Sequence, residues 1–189
     1  MNDRLLVLDT ETGGLDPNRF SILSLGAVIW DNGVLGQEID LPIAEASMVT
    51  DPQSLAINQI DPKKHLINAI PVDQAIPRFI GYLKDNFPAL AQGEKITLVG
   101  HNVAFDMGFL RRFFRLGNVR FEDYFSHRTV DTATILKFLM LAGRVTLDSP
   151  SSTTAFDYFG VKISQRHTAL ADAKATAELL NAMLILIKA

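Results

Sequence analysis

The apolar run Leu5-Leu6-Val7-Leu8 breaks directly into Asp9-Thr10-Glu11-Thr12-Gly13, so a strand that reads as buried ends in two carboxylates. Side chains alternate between the faces of a strand, and residues two apart point the same way. Asp9 and Glu11 can therefore converge on one metal ion. Acids also cap strands where they meet water, and an isolated Asp-x-Glu arises often by chance. The other acids of the chain must decide between the two readings.

They occur at two further places. A second apolar stretch, Ile96-Thr97-Leu98-Val99-Gly100, runs into His101-Asn102-Val103-Ala104-Phe105-Asp106, again a strand that ends in polar groups and opens a helix with an acid. Near the C-terminus, His167 is followed five positions on by Asp172, at the start of a long Ala-rich amphipathic pattern. Four carboxylates brought together would repel and raise one another's pKa values, so such a cluster makes physical sense chiefly as a cradle for cations.

These segments resemble, in order and internal spacing, the three motifs of the DEDDh 3′-to-5′ exonucleases, the family of polymerase proofreading subunits and ribonuclease T. The resemblance spans nearly the whole chain and includes Asn58-Gln59-Ile60-Asp61-Pro62 and Val130-Asp131-Thr132 as connecting segments. It implies a ribonuclease H-like fold, a mixed five-stranded sheet flanked by helices. It also implies removal of nucleotides from the free 3′ end of single-stranded DNA or RNA, with release of 5′-monophosphates. The division of roles it supports makes Asp9 a bridging ligand of two divalent cations, Mg²⁺ or Mn²⁺. Glu11 and Asp172 are further ligands, Asp106 a direct or water-mediated one, and His167 the general base. Two such ions would activate a water and stabilise the departing oxyanion, while an imidazole titrating near 6.5 can take a proton at neutral pH.

Candidate substrate contacts are Thr12, Leu15, Asn102 and Phe105. The resemblance implies that Thr12 and Leu15 touch the terminal nucleotide, Thr12 through its amide or hydroxyl and Leu15 as a wedge against the last base; an ordinary turn accounts for both equally well. Phe105 either stacks on a base or anchors its helix. The first motif continues as Gly13-Gly14 where many relatives have Thr-Gly, and positions resembling base-stacking aromatics are the aliphatic Leu15 and Ile57, which leaves DNA and RNA both open as substrates. His101 and Asn102 read as residues that hold a neighbouring loop, Asp131 as a helix cap, and His65 and His127 as surface or packing residues.

The 189 residues, 48% of them hydrophobic, suffice for one well-buried core and are too few for two, so residues 1–189 are expected to form a single exonuclease domain. With no cysteine, any ion must be held by oxygen or imidazole, which favours hard cations. The net charge of −3 argues at first against nucleic acid, but setting aside the four motif acids leaves a slight basic excess. Arg111-Arg112 with Arg115 reads as a solvated helix face in preference to a phosphate contact. Met1-Asn2-Asp3 is too short and polar for a signal peptide, and the apolar tail from Met183 to Ile187 is too short to span a bilayer, so a cytoplasmic protein without a membrane partner is expected. A homodimer or a polymerase partner fits the resemblance. The rival reading is a catalytically weak nucleic-acid-binding or polymerase-accessory module.

Patterning predicts strands over 4–9, 22–29 and 34–41, the last two joined at Asp31-Asn32-Gly33, where Asn and Gly tolerate positive φ. A short helix is predicted around 53–58 and a longer one over 74–87, with Pro77 tolerable only near its first turn. Further strands fall at 96–99 and 128–130, and helices at 106–116, 132–141, 153–159 and 169–187. Strands first as a meander, then alternating with helices, argue for a mixed sheet covered by helices.

Overall fold

The computed structural model describes residues 4–163 and 168–188. Its sheet is built from β1 (Arg4–Thr12), β2 (Ile22–Asp31), β3 (Val34–Ala44), β4 (Ile70–Pro71), β5 (Ile96–Gly100) and β6 (Phe125–Asp131), in the spatial order β4-β3-β2-β1-β5-β6. Strands β1 to β3 form the antiparallel meander, and β5 and β6 continue parallel to β1 on its other side. The β2–β3 turn has Asn32 and Gly33 at φ 50° and 92°, the left-handed geometry for which that dipeptide is suited. The mixed ribonuclease H-like sheet is the expected one, but it carries six strands instead of five. The addition is the two-residue β4, too short to leave a periodic signal, which pairs parallel to the end of β3.

The helices are α1 (Pro52–Asn58), α2 (Pro62–Asn68), α3 (Val72–Asn86), α4 (Val103–Leu116), α5 (Thr132–Leu141), α6 (Ser152–Phe159) and α7 (Ala169–Lys188). Both Asp-Pro dipeptides start helices. Asp51 accepts from the Ser54 amide and Asp61 from the Lys63 and Lys64 amides, while Pro52 and Pro62 occupy the first helical position, where a missing N–H costs nothing. The patterning gave only the first of these two helices, although neither buries a residue.

The even-numbered residues of β1, Leu6 and Leu8, join α3 and α4 in the main core, where Phe79, Phe109, Phe113 and Phe114 are fully buried. The odd-numbered Val7 faces the opposite way, with Val28, Trp30 and Val99, against Ala177 and Leu180 of α7. A third cluster joins α5, α6 and α7 through Leu136, Phe156, Leu179 and Met183. The sheet is therefore covered on both faces, and residues at the end of β1 meet one helix layer or the other according to parity.

One glycine sets how closely the second layer approaches. Gly26 on β2 lies directly opposite Asp9 on β1, and the start of α7 fills the space its missing side chain leaves. A Cβ at Gly26 would lie 2.0 Å from the Leu170 amide nitrogen and 2.2 Å from the Ala169 carbonyl carbon. Those contacts are with backbone and cannot be relieved by a rotamer change. The Gly26→Ala protein is expected to lose about 3 kcal/mol or more of stability, the upper range for overpacking a core. Its urea midpoint should fall accordingly, and a midpoint equal to the parent's would refute the close approach.

Candidate active site

Asp9 and Glu11 project from the α7 face of β1, and the first turn of α7 brings Asp172 down beside them over Gly26. One carboxylate oxygen from each of these three residues can be chosen so that all lie within 4.8 Å of one another. They border a cleft of about 390 Å³ whose other walls include Thr10, His101, Asn102, the Ser151-Ser152-Thr153 start of α6, and Thr176.

Asp106 reaches the same place from the other layer. The pairing of β1 with β5 stops at Val7 and Val99, so the edge of β1 beyond it is open. There the first turn of α4 presents Asp106, whose Oδ1 accepts from the Thr10 amide at 2.9 Å and the Thr10 hydroxyl at 2.8 Å. Asp106 is buried and lies outside the three-residue cluster, yet its charge acts on Asp9. Thr10, the unassigned middle residue of the first motif, thus fixes the orientation of the fourth acid.

Burial, then the charges of Asp106, Glu11 and Asp172, push the Asp9 carboxyl well above the usual carboxylate range. Burial, then Asp172 and Asp106, raise Glu11 to about 7. Asp106 is also raised, by burial above all, against the lowering effect of its Thr10 hydrogen bonds. Among the described residues no lysine or arginine pairs with Asp9, Glu11 or Asp106. An all-oxygen set of hard donors crowded together fits a divalent cation.

His101 is a bridge. Its Nδ1 lies 3.0 Å from the Thr132 hydroxyl and its Nε2 3.0 Å from the Pro150 carbonyl, tying the end of β5 to the chain that leads into α6, and burial lowers its pKa. Asp131 caps α5 through the Ala133 amide and also accepts from the Asn102 amide, holding Asn102 at φ 65°. Asn102 is exposed at the cleft. Phe105 is half-buried with its ring centroid 5.1 Å from that of Phe109, the packing of an anchor. The Thr12 hydroxyl donates to the Gly14 carbonyl, its own carbonyl accepts from Asn58, and Leu15 stands exposed. His65 bonds the Ile43 carbonyl and His127 is exposed, while His167 lies outside the described residues.

The three arginines do not form one solvated face. Arg111 pairs with Glu122 at the surface and Arg115 is exposed, but Arg112 turns inward to a bidentate pair with the buried Glu45. Position in the sequence alone could not separate them. Asn58, quoted only as part of a connecting segment, reaches Thr12 across the fold. Ser151, Ser152 and Thr153 also line the cleft, and nothing in the sequence separates them from ordinary residues at a helix start, because Ser and Thr begin many helices.

The sheet order and the acid-lined cleft define a nuclease of ribonuclease H-like fold. Solved structures of Escherichia coli exonuclease I share the architecture: its zinc-bound complex with single-stranded DNA superposes with a TM-score of 0.81 at 17% identity, and its complex with a dT13 oligonucleotide with 0.77 at 17%. These matches cover 100% and 94% of this chain but 42% and 40% of theirs. The chain belongs to the exonuclease family whose model, described as Exonuclease, matches residues 6–180. A ribonuclease T of Actinobacillus pleuropneumoniae is 28% identical over 192 residues, covering 97% of this chain and 84% of that protein. A PolC-type DNA polymerase III of Thermotoga maritima is 30% identical over 173 residues, 92% of this chain but 11% of the polymerase. Among the described residues no helix is long and apolar enough to cross a membrane.

The raised carboxyls give the protein a pH dependence of definite sign. A carboxyl that titrates higher folded than unfolded favours the fold fully below its unfolded value, and that contribution is lost as pH rises through the folded value. For Glu11 the window runs from about 4.5 to about 7. With divalent ions chelated, stability is expected to fall between pH 5 and pH 8, and Glu11→Gln should restore up to about 3 kcal/mol at pH 8. Urea titrations in EDTA at the two pH values check this; a variant with the parent's slope would contradict it.

Proposed function

We propose that residues 1–189 work as a single exonuclease domain that removes nucleotides one at a time from the free 3′ end of single-stranded DNA or RNA, releasing 5′-monophosphates. The observation that carries the reading is the convergence of Asp9, Glu11 and Asp172 on one point, with Asp106 acting on it from the opposite helix layer. Family membership and the likeness to ribonuclease T support the reaction class. The oligonucleotide held by exonuclease I supports a single-stranded substrate.

In this reading Asp9, Glu11 and Asp172, with Asp106 directly or through water, hold two divalent cations, Mg²⁺ or Mn²⁺. Such ions, when bound, supply charge neutralisation at the phosphate and ease deprotonation of water. The residues of the chain do the rest. Asp106 is fixed by Thr10, to which its Oδ1 is committed. His167, five positions before Asp172, accepts the proton of the attacking water as general base. Thr12 and the exposed Leu15, which follow the first two acids in sequence without lining the cleft, are the candidate contacts for the terminal nucleotide, with Asn102 at the cleft. A cytoplasmic location fits a nucleic-acid substrate, and the likeness to a polymerase segment supports action beside a polymerase as well as alone.

A 5′-labelled oligonucleotide with Mg²⁺ should shorten in single-nucleotide steps, and circular single-stranded DNA should survive. Asp9→Asn is expected to abolish turnover with the fold retained, and His167→Ala to reduce kcat by about 10² to 10⁴, the usual worth of a general base. Cutting of the circle, or loss of the label in one step, would contradict 3′-to-5′ digestion. Absence of any Mg²⁺- or Mn²⁺-stimulated turnover would favour a binding or accessory module instead.

A further inference from the structure

The loop of residues 13–21, between β1 and β2, follows the first two acids directly and carries Leu15, whose side chain is 80% exposed. An apolar side chain on a free loop of that length would sample many positions and contribute little to placing a substrate. This loop is held at three points. At its base the Gly13 amide donates to the Ser21 carbonyl and the Ser21 amide to the Val49 carbonyl, while the Val49 amide returns to the Ser21 hydroxyl. At its far foot Glu45, at the end of β3, accepts from the Ser21 hydroxyl at 3.1 Å and the Ile22 amide at 3.0 Å. At its crest Pro17 packs on Gly108 of α4, where a Cβ would come to 3.0 Å of the proline ring, and the Pro17 carbonyl accepts from Arg112 at 3.1 Å.

Arg112 joins the last two. Its Nε and Nη2 grip both oxygens of Glu45, and its Nη1 takes the Pro17 carbonyl. The fork geometry of a guanidinium permits all three bonds at once, which an ammonium cannot reproduce. Arg112 lies on α4, the helix that presents Asp106, so the same rigid element fixes an acid of the cluster and the loop opposite it.

We propose that the Arg112–Glu45 pair is a positioning device that holds the 13–21 loop, and with it Leu15, at a fixed distance from the acid cluster, so that it sets the affinity for the 3′-terminal nucleotide without touching the reacting atoms. The inference rests on the 3′-end exonuclease reading. Loosening the clamp removes binding that is equal in the ground and transition states, which raises KM and leaves kcat in place.

The test compares the parent with Arg112→Lys and Glu45→Gln, and with Arg111→Lys as a control on the same helix, using a 5′-labelled single-stranded oligonucleotide and Mg²⁺. KM should rise about tenfold in the two clamp variants with kcat within twofold, and the control should match the parent. Amide hydrogen exchange should quicken at Gly13, Ser21, Ile22 and Val49 and stay unchanged at Leu6 to Leu8. Parental KM in folded clamp variants, or a loss of turnover equal to the fraction unfolded, overturns the clamp. Should both clamp variants fail to fold, Ser21→Ala removes one bond to Glu45 and one to Val49, and a parental KM there overturns it equally. A parent with no Mg²⁺-stimulated turnover would count against the exonuclease reading, whereas an active parent with unaffected variants counts against the clamp alone.

Discussion

Four carboxylates stand at one end of β1 against their mutual repulsion, and the packing of both faces of the sheet is what holds them there. Val7, Leu6 and Leu8 anchor the strand between two apolar layers, so its last residues cannot swing apart to separate their charges. Each layer then delivers one further acid, Asp172 from α7 and Asp106 from α4. The cores on the two faces bury most of the large apolar side chains of the fold, and burial of that order exceeds the few kcal/mol that raised carboxyls cost. The site is a region where stability is given up locally and recovered elsewhere.

The two routes to the cluster differ in their chemistry. Asp106 arrives around the open edge of β1 and finds the Thr10 amide, a donor that β5 would otherwise have used, and the Thr10 hydroxyl. Those bonds favour its charged form and oppose the effect of burial. For Asp9 and Glu11 every interaction identified as shifting the carboxyl raises it. The Thr10 bonds therefore offset part of what burial does to Asp106, whose carboxyl still titrates at about 7, whereas nothing of the kind offsets burial and repulsion at Asp9 and Glu11.

Much of this was legible in the sequence because it rests on local rules. The alternation that places Asp9 and Glu11 on one face, the helices that carry Asp106 and Asp172 in their first turns, and the Asn32-Gly33 turn all follow from spacing and φ preference, although α4 starts at Val103, three residues before the expected 106. What stayed hidden depends on contacts between distant segments. Gly26 looks like any strand glycine until Asp9 is found opposite it and α7 above it. Arg112 is indistinguishable in sequence from Arg111 and Arg115, since only the arrival of Glu45 from β3 separates a buried pair from a surface charge. The strand β4 escaped because two residues leave no periodic signal.

The dependence on distant segments has a consequence for how folding and cation binding are linked. Asp9 and Glu11 are adjacent on one strand and would remain near each other in an unfolded chain, but Asp106 and Asp172 are brought to them only when α4 and α7 have docked on opposite faces. An ion that needs all four therefore binds the folded chain and not the unfolded one, and its binding free energy adds to the stability of the fold by mass action. A bound cation would offset the burial and repulsion that raise Asp9 and Glu11, so its contribution would grow with pH as those carboxyls ionise. Cation binding at the acid cluster would thus be linked to docking of the two helix layers, with Gly26 and the Thr10–Asp106 contact as the places where packing and charge meet.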